Sequence, residues 1–450
     1  AESLVEYGNV IIKNNTFNSD FTAFTNLTIQ NDIIVLRGVK NVKIINNTFN
    51  IVKCNRVFKL ADNLSAPSGT EVSSFPCEDI FISSNVINAS ANGNSKQLLD
   101  GFNALKSLSF SSNNIYSRGF STVIEDKTGH IQNYTRVHKI FDNDIDLDGS
   151  FVVESGNYGS SVTGYESGFQ IVEVYNNTIN RQNSATSNLD EPTLTAKFMN
   201  STIFSNNNIV TDATFNAYSV IEHSSSETVV ISNNTITNGT IKLNRSVSDQ
   251  QGNAFNAVYK TIKIIANNIL EYDAADGAIL LLSIRSSLCR VDIFNNTIKL
   301  LNPQVNTLGT PVYLKDSDFL IANIYNNTSF NFNNSNNDYL RLLTINGTVK
   351  DFGNSWNTDV ASLVSETSFT VAAQTSVFKI YAFSGIKFLD NVSFNMSEKI
   401  GAVIAKGEYN TTNQCIIYYF NPLLTTATIP ALNIQLEADR SSSGVYTYVR

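Results

Sequence analysis

The sequence predicts an all-β protein whose short strands coil into a stack of about 13 rungs, followed by a small C-terminal β segment. Three features predict this fold: a motif that recurs along the chain, an alternation of apolar and polar residues within each copy, and an abundance of asparagine. The chain has 450 residues, and 42% of them are hydrophobic, which suffices for a sizeable core. Only 16% are charged, well below the share in an ordinary soluble domain.

The recurring motif is an apolar stretch that ends in Asn-Asn-Thr. Residues 10–17 (VIIKNNTF) return as 42–49 (VKIINNTF), 172–179 (VEVYNNTI) and 291–298 (VDIFNNTI). We number each copy from its second asparagine as position zero, and looser copies then recur at intervals averaging about 31 residues. Position zero falls at Asn15, Asn47, Asn85, Asn113, Asn143, Asn177, Asn207, Asn234, Asn267, Asn296 and Asn327, with two weaker copies at Asn354 and Asn391.

Each copy predicts two strands joined by a tight bend. The residue three before position zero is nearly always large and apolar, as in Ile44 and Phe110, and it alternates with polar residues such as Lys43, which is typical of a half-buried strand. Two residues after position zero the chain is apolar again, so a second strand begins there. Asparagine tolerates the left-handed backbone of a tight corner, and its amide can bond to the asparagine of the next rung. Position zero is therefore predicted to point inward and to form a ladder, with the preceding residue exposed.

The motif apolar-x-apolar-x-x-Asn-x-apolar resembles the repeat of right-handed parallel β-helix proteins, the pectin-lyase-like superfamily, over roughly residues 5–395. The resemblance implies a right-handed parallel β-helix over residues 1–398, with residues 399–450 as a C-terminal β cap or the start of a further domain. A leucine-rich repeat needs a leucine skeleton that the chain lacks, and the hairpin turn signals of a β-sandwich do not follow the repeat. The fold does not identify a function, because it carries lyases, hydrolases, adhesins and inert surface proteins.

The four cysteines leave two pairings open. Cys54 and Cys77 both fall between the second and third copies, and a disulfide closing that excursion is the economical interpretation, with two buried thiols as the alternative. Cys289 and Cys415 could also pair and tie the C-terminal segment to the stack. Neither spacing resembles a zinc site.

Asn-x-Ser/Thr sequons are frequent, which favours a secreted eukaryotic glycoprotein over an unglycosylated bacterial adhesin or phage spike. Asn327 is a sequon at position zero and is predicted to stay bare, because a ladder residue faces inward. The predicted N-glycan sites are Asn14, Asn26, Asn46, Asn63, Asn88, Asn133, Asn176, Asn200, Asn233, Asn238, Asn244, Asn295, Asn326, Asn333, Asn346, Asn391, Asn395 and Asn410.

Candidate catalytic residues do not form a coherent set along the chain. Residues 357–359 (NTD) resemble the opening motif of polygalacturonases, but the paired Asp and the Gly-His-Gly that should follow are absent. Arg285 and Arg290 follow Asp273 and Asp276 without a lyase motif. The three histidines, His130, His138 and His223, lie in unrelated contexts. We therefore predict no catalytic residue, no cofactor and no enzyme.

One acidic cluster is a candidate calcium site. Asp144, Asp146 and Asp148 alternate with apolar residues, so all three are predicted to share the outer face. The series resembles the start of an EF-hand loop, but its twelfth position is Ser155 instead of glutamate. A solvated strand face is the preferred interpretation, and calcium stays open.

The net charge and the pattern of predicted surface residues limit which partners the protein can have. A net charge of −8 argues against nucleic acid, and no apolar run is long enough to span a membrane. Aromatic and apolar residues recur two before position zero, as at Tyr175 and Tyr325, and predict two outer patches. The absence of an evident N-terminal cap predicts head-to-tail self-association, with the patches as lateral contacts.

These features together favour a non-enzymatic extracellular structural glycoprotein, a β-helical rod that serves as a surface, wall or filament subunit. The alternative is a carbohydrate-active β-helix enzyme or a carbohydrate-binding adhesin. The two interpretations differ in one structural feature, which is whether the outer face of the parallel sheet carries clustered carboxylates and arginine or only serine, threonine and asparagine.

Overall fold

The computed structural model is an all-β, right-handed parallel β-helix with an antiparallel C-terminal region. The structure describes residues 7–20, 32–54, 56–61, 77–89, 97–100, 105–118, 122–127, 136–148, 151–156, 170–182, 192–197, 201–212, 221–224, 227–244, 259–271, 277–284, 286–300, 310–330, 340–356, 360–382, 391–397, 400–411, 414–439 and 441–448. In this part of the chain no helix is long and apolar enough to cross a membrane.

Each rung contributes one strand to each of three parallel sheets. Sheet A holds the strands before the bend: β1 (Tyr7–Gly8), β2 (Ile11–Lys13), β5 (Val39–Ile45), β8 (Glu78–Ser83), β11 (Ser107–Ser111), β14 (Arg136–Phe141), β17 (Gln170–Tyr175), β20 (Ser201–Ser205), β23 (Thr228–Ser232), β26 (Thr261–Ile265), β29 (Arg290–Phe294), β32 (Asp318–Tyr325) and β35 (Asn346–Trp356). Sheet B follows the bend: β3 (Thr16–Asp20), β6 (Thr48–Lys53), β9 (Val86–Ala89), β12 (Asn114–Ser117), β15 (Asp144–Leu147), β18 (Thr178–Arg181), β21 (Asn208–Thr211), β24 (Thr235–Thr237), β27 (Asn268–Glu271), β30 (Thr297–Leu300) and β33 (Thr328–Phe330). Sheet C is the third: β4 (Asp32–Arg37), β7 (Arg56–Ala61), β10 (Gln97–Asp100), β13 (Thr122–Lys127), β16 (Phe151–Gly156), β19 (Leu194–Lys197), β22 (Ile221–Ser224), β25 (Ile241–Asn244), β28 (Ile279–Leu282), β31 (Val312–Lys315) and β34 (Leu340–Leu343).

The core is built from the inward positions of these strands, as the alternation predicts. In β20 the burial alternates along the strand, and Thr202 and Phe204 are fully buried. Ile231 and Ile264 occupy the register position of Phe204 in the next two strands of sheet A, so identical positions stack along the axis. Fully burying such a side chain contributes about 1.5–3 kcal/mol, and the stack repeats this contribution rung after rung.

The left-handed backbone at the bend belongs to the residue before position zero, not to the ladder asparagine itself. Asn46, Asn176 and Asn295 have φ values of 55°, 56° and 57°. Serine, aspartate or alanine takes this place in other rungs, as at Ser84, where φ is also positive. The two asparagines of the motif therefore have separate roles: the first turns the backbone and the second forms the ladder.

The predicted asparagine ladder is confirmed from Asn15 to Asn354. At each step the backbone N–H of one asparagine donates to Oδ1 of the next over 2.8–3.1 Å. The side-chain Nδ2 of the same asparagine donates to the same Oδ1 over 2.8–3.2 Å. From Asn47 onward Nδ2 also donates to a backbone carbonyl of the preceding rung, such as Ile12. Ladder residues from Asn47 to Asn354 are at most 2% exposed, whereas Asn15 at the first rung is exposed.

The ladder ends one copy earlier than the sequence predicts. Twelve asparagines take part among the described residues, and Asn391 instead lies in a strand that pairs antiparallel with a later one. The last ladder amide, Asn354 Nδ2, donates to Asp351 Oδ1 over 2.5 Å. Asp351 is 1% exposed and occupies the position that is apolar in earlier rungs. Asp351, the residue that departs from the repeat in this copy, is therefore the acceptor that completes the ladder.

Replacing Asp351 by alanine is expected to destabilise the protein by about 1–3 kcal/mol, because a buried amide N–H of Asn354 then lacks its acceptor. Asp351→Asn keeps a carbonyl oxygen and is expected to cost less. The midpoint of urea unfolding measures both changes. Equal midpoints for the alanine and asparagine variants would contradict the capping role.

The C-terminal strands pair antiparallel and have a core of their own. They are β36 (Val360–Glu366), β37 (Phe369–Val371), β38 (Ser376–Ala382), β39 (Asn391–Met396), β40 (Ile404–Thr411), β41 (Gln414–Phe420), β42 (Ala427–Ile429), β43 (Leu432–Asp439) and β44 (Ser441–Tyr448). Ile417, Tyr419 and Ile434 are fully buried in this second cluster. The sequence places the end of the β-helix at residue 398, whereas antiparallel pairing already begins at β36. Local apolar alternation is the same in parallel and antiparallel strands, so it does not reveal this change.

Strand β44 covers the last strand of sheet A. It pairs antiparallel with β35 from Gly347↔Tyr448 to Ser355↔Ser441. The chain's own final strand therefore satisfies the backbone groups that the filament prediction left open at this edge. The prediction of head-to-tail stacking through this edge of sheet A is therefore wrong.

The predicted Cys54–Cys77 disulfide is absent from the structure, and Cys289 and Cys415, whose pairing was left open, are not bonded to each other either. All four cysteines are described, and each is a fully buried thiol. Burial raises the pKa of the Cys289 thiol to about 12 and that of Cys415 to about 11. Cys54 and Cys77 belong to the core of the β-helix, while Cys289 and Cys415 lie in different cores. These thiols therefore act as small apolar core residues.

Candidate functional site

The register of sheet C brings three acidic residues together. Asp100 in β10, Glu125 in β13 and Glu154 in β16 are direct register partners in consecutive strands. Lys59 precedes them at the same position in β7, and Lys197 follows them in β19. We call this set the acid column: Lys59, Asp100, Glu125, Glu154 and Lys197. The position alternates with the core-facing one of Phe58 and Leu99, so it belongs to the outer face of the sheet.

The described neighbours of the acid column differ in exposure, and Val35, the register partner of Lys59 in β4, is 43% exposed. Leu98 and Thr195 occupy outer positions of sheet C beside the column, and they are 1% and 2% exposed. Lys59 is 7% exposed, and its Nζ lies 3.7 Å from Asp32 Oδ2.

Sequence reasoning missed the acid column because its members lie in the variable spacers between copies of the asparagine motif. A signal was nevertheless present. Three consecutive spacers contain two apolar residues followed by an acid: residues 98–100 (LLD), 123–125 (VIE) and 152–154 (VVE). Only the strand register shows that these acids are neighbours.

The residues considered for catalysis from the sequence are not brought together. His138 is 2% exposed, and its Nε2 lies 3.2 Å from the carbonyl oxygen of Leu105, which is a structural contact. Arg290 is exposed at the start of β29. His223 lies in β22, while His130, Asp273, Asp276, Arg285 and residues 357–359 lie outside the described residues.

The aspartates of the calcium candidate differ in exposure. Asp144 is exposed, but Asp148 is 2% exposed. Asp146 forms an ion pair with Arg118 over 2.9 Å. Among the described residues there is no cluster of three or more His, Cys, Asp or Glu side chains that could hold a metal. The solvated position predicted for all three aspartates is therefore wrong for Asp148.

The two outer aromatic patches are confirmed on sheet A. Phe141 and Tyr175 stack with their ring centroids 5.0 Å apart. Tyr325 stacks between Phe294 at 4.6 Å and Phe352 at 5.1 Å, with the rings nearly parallel. Burial, aided by the negative charge of Asp292, raises the pKa of the Tyr325 phenol. Because ring faces cover one another, mainly ring edges and the last ring, Phe352, are open to solvent.

The sequons divide into three groups. The exposed ones with positive φ are Asn14, Asn46, Asn176, Asn233, Asn295 and Asn326. Others lie in strands or turns: Asn88, Asn238, Asn244, Asn346, Asn391, Asn395 and Asn410. Those outside the described residues are Asn26, Asn63, Asn133, Asn200 and Asn333. Asn327 is fully buried in the ladder, as predicted. Glycosylation and secretion stay predictions.

Comparison with known proteins finds similar structures but no similar sequences. No protein-family model matches the chain, and no curated protein sequence matches it. Among solved structures, a tailspike protein mutant of E. coli bacteriophage HK620 in complex with a pentasaccharide has a TM-score of 0.47 at 10% identity, covering 96% of this chain and 76% of that one. The tailspike of Acinetobacter baumannii bacteriophage AP22 in complex with A. baumannii capsular saccharide has a TM-score of 0.30 at 8% identity, covering 97% and 61%.

The prediction of a non-enzymatic structural glycoprotein is wrong. It depended on the absence of a coherent set of acid, base and basic clamp residues along the chain, whereas the register of sheet C aligns three acidic residues in consecutive strands. The carbohydrate-directed alternative is the interpretation that remains.

Proposed function

We propose that this protein is a carbohydrate-active β-helix that binds a polysaccharide and hydrolyses its glycosidic bonds at the acid column. The observation that carries the proposal is the register of Asp100, Glu125 and Glu154 between Lys59 and Lys197. Hydrolysis of a glycoside requires one carboxylic acid to protonate the leaving oxygen and one carboxylate to act as nucleophile or base. The acid column aligns three acidic residues at one register position of consecutive strands.

The order of charges in the acid column assigns the roles. Glu154 has Lys197 as a register neighbour, and Asp100 has Lys59, whose Nζ lies 3.7 Å from Asp32 Oδ2. Glu125 is the middle member and has an acidic register neighbour on both sides, so we place the proton there. Glu125 is therefore the general acid, and Asp100 or Glu154 is the ionised partner.

Strand spacing suggests the stereochemical course. Equivalent positions in adjacent parallel strands lie about 4.8 Å apart, and those two strands apart lie about 9.6 Å apart. Retaining glycosidases hold their two carboxyl groups about 5–5.5 Å apart, and inverting enzymes about 6.5–9.5 Å. Glu125 with either neighbour fits the retaining spacing better. We therefore propose a covalent glycosyl-enzyme intermediate that water then hydrolyses.

The test is incubation of the full chain with a panel of neutral and acidic bacterial polysaccharides, with released reducing ends as the readout. Cleavage of at least one polymer, with the anomeric configuration of the product retained by NMR, is the expected result. A folded protein that binds a polymer without cleaving it would reduce the function to glycan binding. A protein that neither binds nor cleaves any of them would contradict the proposal.

A further inference from the structure

A slot one strand wide lies on the outer face of sheet A, apart from the acid column on sheet C. It has a volume of about 160 Å³, and its walls include Asp79, Phe81, Ser107, Ser109 and Lys139. The slot exists because β11 places two small side chains, Ser107 and Ser109, between larger ones on β8 and β14. Ser109 is the register partner of both Phe81 and Lys139. Phe81 and Lys139 therefore stand two strand spacings apart, about 9.6 Å along the axis.

The walls of the slot differ in chemistry. Phe81 is 43% exposed, so one wall is an accessible aromatic side chain. Asp79 lines the other side of the floor, and its carboxylate accepts a hydrogen bond from Ser107 Oγ over 3.1 Å. The backbone N–H of Asp79 donates to the same Oγ over 2.7 Å, and the backbone there is left-handed, with φ of 54°. Both bonds hold the carboxylate at the slot.

Charge at the far wall is balanced. Lys139 Nζ lies 3.3 Å from Glu173 Oε2, and the lysine side chain is 45% exposed. With Lys139 paired to Glu173, the Asp79 carboxylate is left as one net negative charge at the slot. This charge disfavours an anion, and a neutral polyhydroxylated ligand can donate hydroxyl hydrogen bonds to the carboxylate.

We infer that this slot binds a single neutral pyranose unit of a glycan. The apolar C–H face of the sugar ring lies against Phe81, while its hydroxyl groups bond to Asp79, Ser109 and Lys139. An aromatic surface with a few placed polar groups is the usual composition of a small-ligand site, and a volume of about 160 Å³ suits one sugar ring better than several. The inference does not rest on catalysis, because the slot contains no member of the acid column.

The slot can be tested by saturation-transfer NMR of the full chain with the methyl glycosides of glucose, galactose, mannose and N-acetylglucosamine. At least one glycoside is expected to bind the unmodified protein, with a dissociation constant on the order of 1 mM for so small a contact. Ser109→Phe fills the slot, and we expect it to abolish the transfer signal. Phe81→Ala removes the aromatic wall and is expected to weaken binding at least tenfold.

Val230→Phe is the matched control. Val230 on β23 lies at the same register position of sheet A as Ser109, and this substitution adds the same ring away from the slot. Retained binding in this variant, with loss in Ser109→Phe, supports the inference. Binding that survives Ser109→Phe, or that Val230→Phe abolishes equally, overturns it. No binding of any of the four glycosides to the unmodified protein also overturns it.

The acid column provides a second comparison. Glu125→Gln is expected to abolish polysaccharide cleavage and to leave glycoside binding in the slot unchanged. If Glu125→Gln loses the glycoside while Ser109→Phe keeps it, the sugar binds at the acid column and the slot is empty. Failure of the slot and failure of the acid column are thus separate results.

Discussion

Glu125→Gln is expected to lower the rate of polysaccharide cleavage by about 10²–10⁴-fold, because glutamine has the shape of glutamic acid but no proton to donate. Asp100 and Glu154 keep their places on either side, so the loss measures the proton transfer alone. Initial rates of reducing-end release, at substrate concentrations above saturation, measure the effect on kcat.

Two controls accompany the Glu125 variant. Unchanged thermal unfolding shows that the fold is retained, and an unchanged dissociation constant for the polymer shows that binding is retained. Lys315→Gln is the matched surface change, because Lys315 lies at the same register position in β31, far along sheet C. The Lys315→Gln variant is expected to cleave the polysaccharide at the normal rate. A Glu125→Gln variant with normal kcat would contradict the assignment of Glu125 as general acid.

Asn234→Ala is expected to destabilise the protein by about 3 kcal/mol, the largest effect on stability among the changes considered. Asn234 Oδ1 accepts from Asn207 N and Nδ2, both over 3.0 Å, and its own Nδ2 donates to Asn267 Oδ1 over 2.9 Å. Nδ2 also donates to the carbonyl oxygen of Phe204 over 3.0 Å. Alanine removes all these bonds at a buried position, and each unsatisfied buried group costs about 1–3 kcal/mol.

The midpoint of urea unfolding measures this change. Asn15→Ala is the internal control, because Asn15 is the exposed first member of the ladder and no earlier asparagine donates to it. Its replacement is expected to shift the midpoint far less. A neutral Asn234→Ala, or equal shifts in the two variants, would show that the ladder contributes little to stability.

The fold of this protein could be predicted from sequence because its determinants repeat. Every rung needs an inward apolar residue such as Ile231 and an inward asparagine such as Asn234, so each signal occurs many times and chance matches average out. The two outer aromatic patches could be predicted from the same numbering, because Tyr325 lies two residues before a ladder asparagine. These features depend on spacing within one copy of the motif.

The end of the repeat could not be predicted in this way. The copies at Asn354 and Asn391 look equally weak, yet Asn354 closes the ladder and Asn391 lies in an antiparallel strand. The difference depends on which strand pairs with each one. A motif of eight residues carries no information about its partner strand.

By itself the sequence determined the coil of parallel strands, the inward ladder and the outer aromatic patches, because each depends on residues a few positions apart. Tertiary structure alone decided which residues of different rungs become neighbours. Asp100, Glu125 and Glu154 are separated by spacers of unequal length, so their alignment depends on how much chain each rung loops out between its strands. The same register places Phe81 and Lys139 on either side of Ser109. Both proposed sites combine residues of different rungs, and the register of hydrogen-bonded strands sets which residues those are.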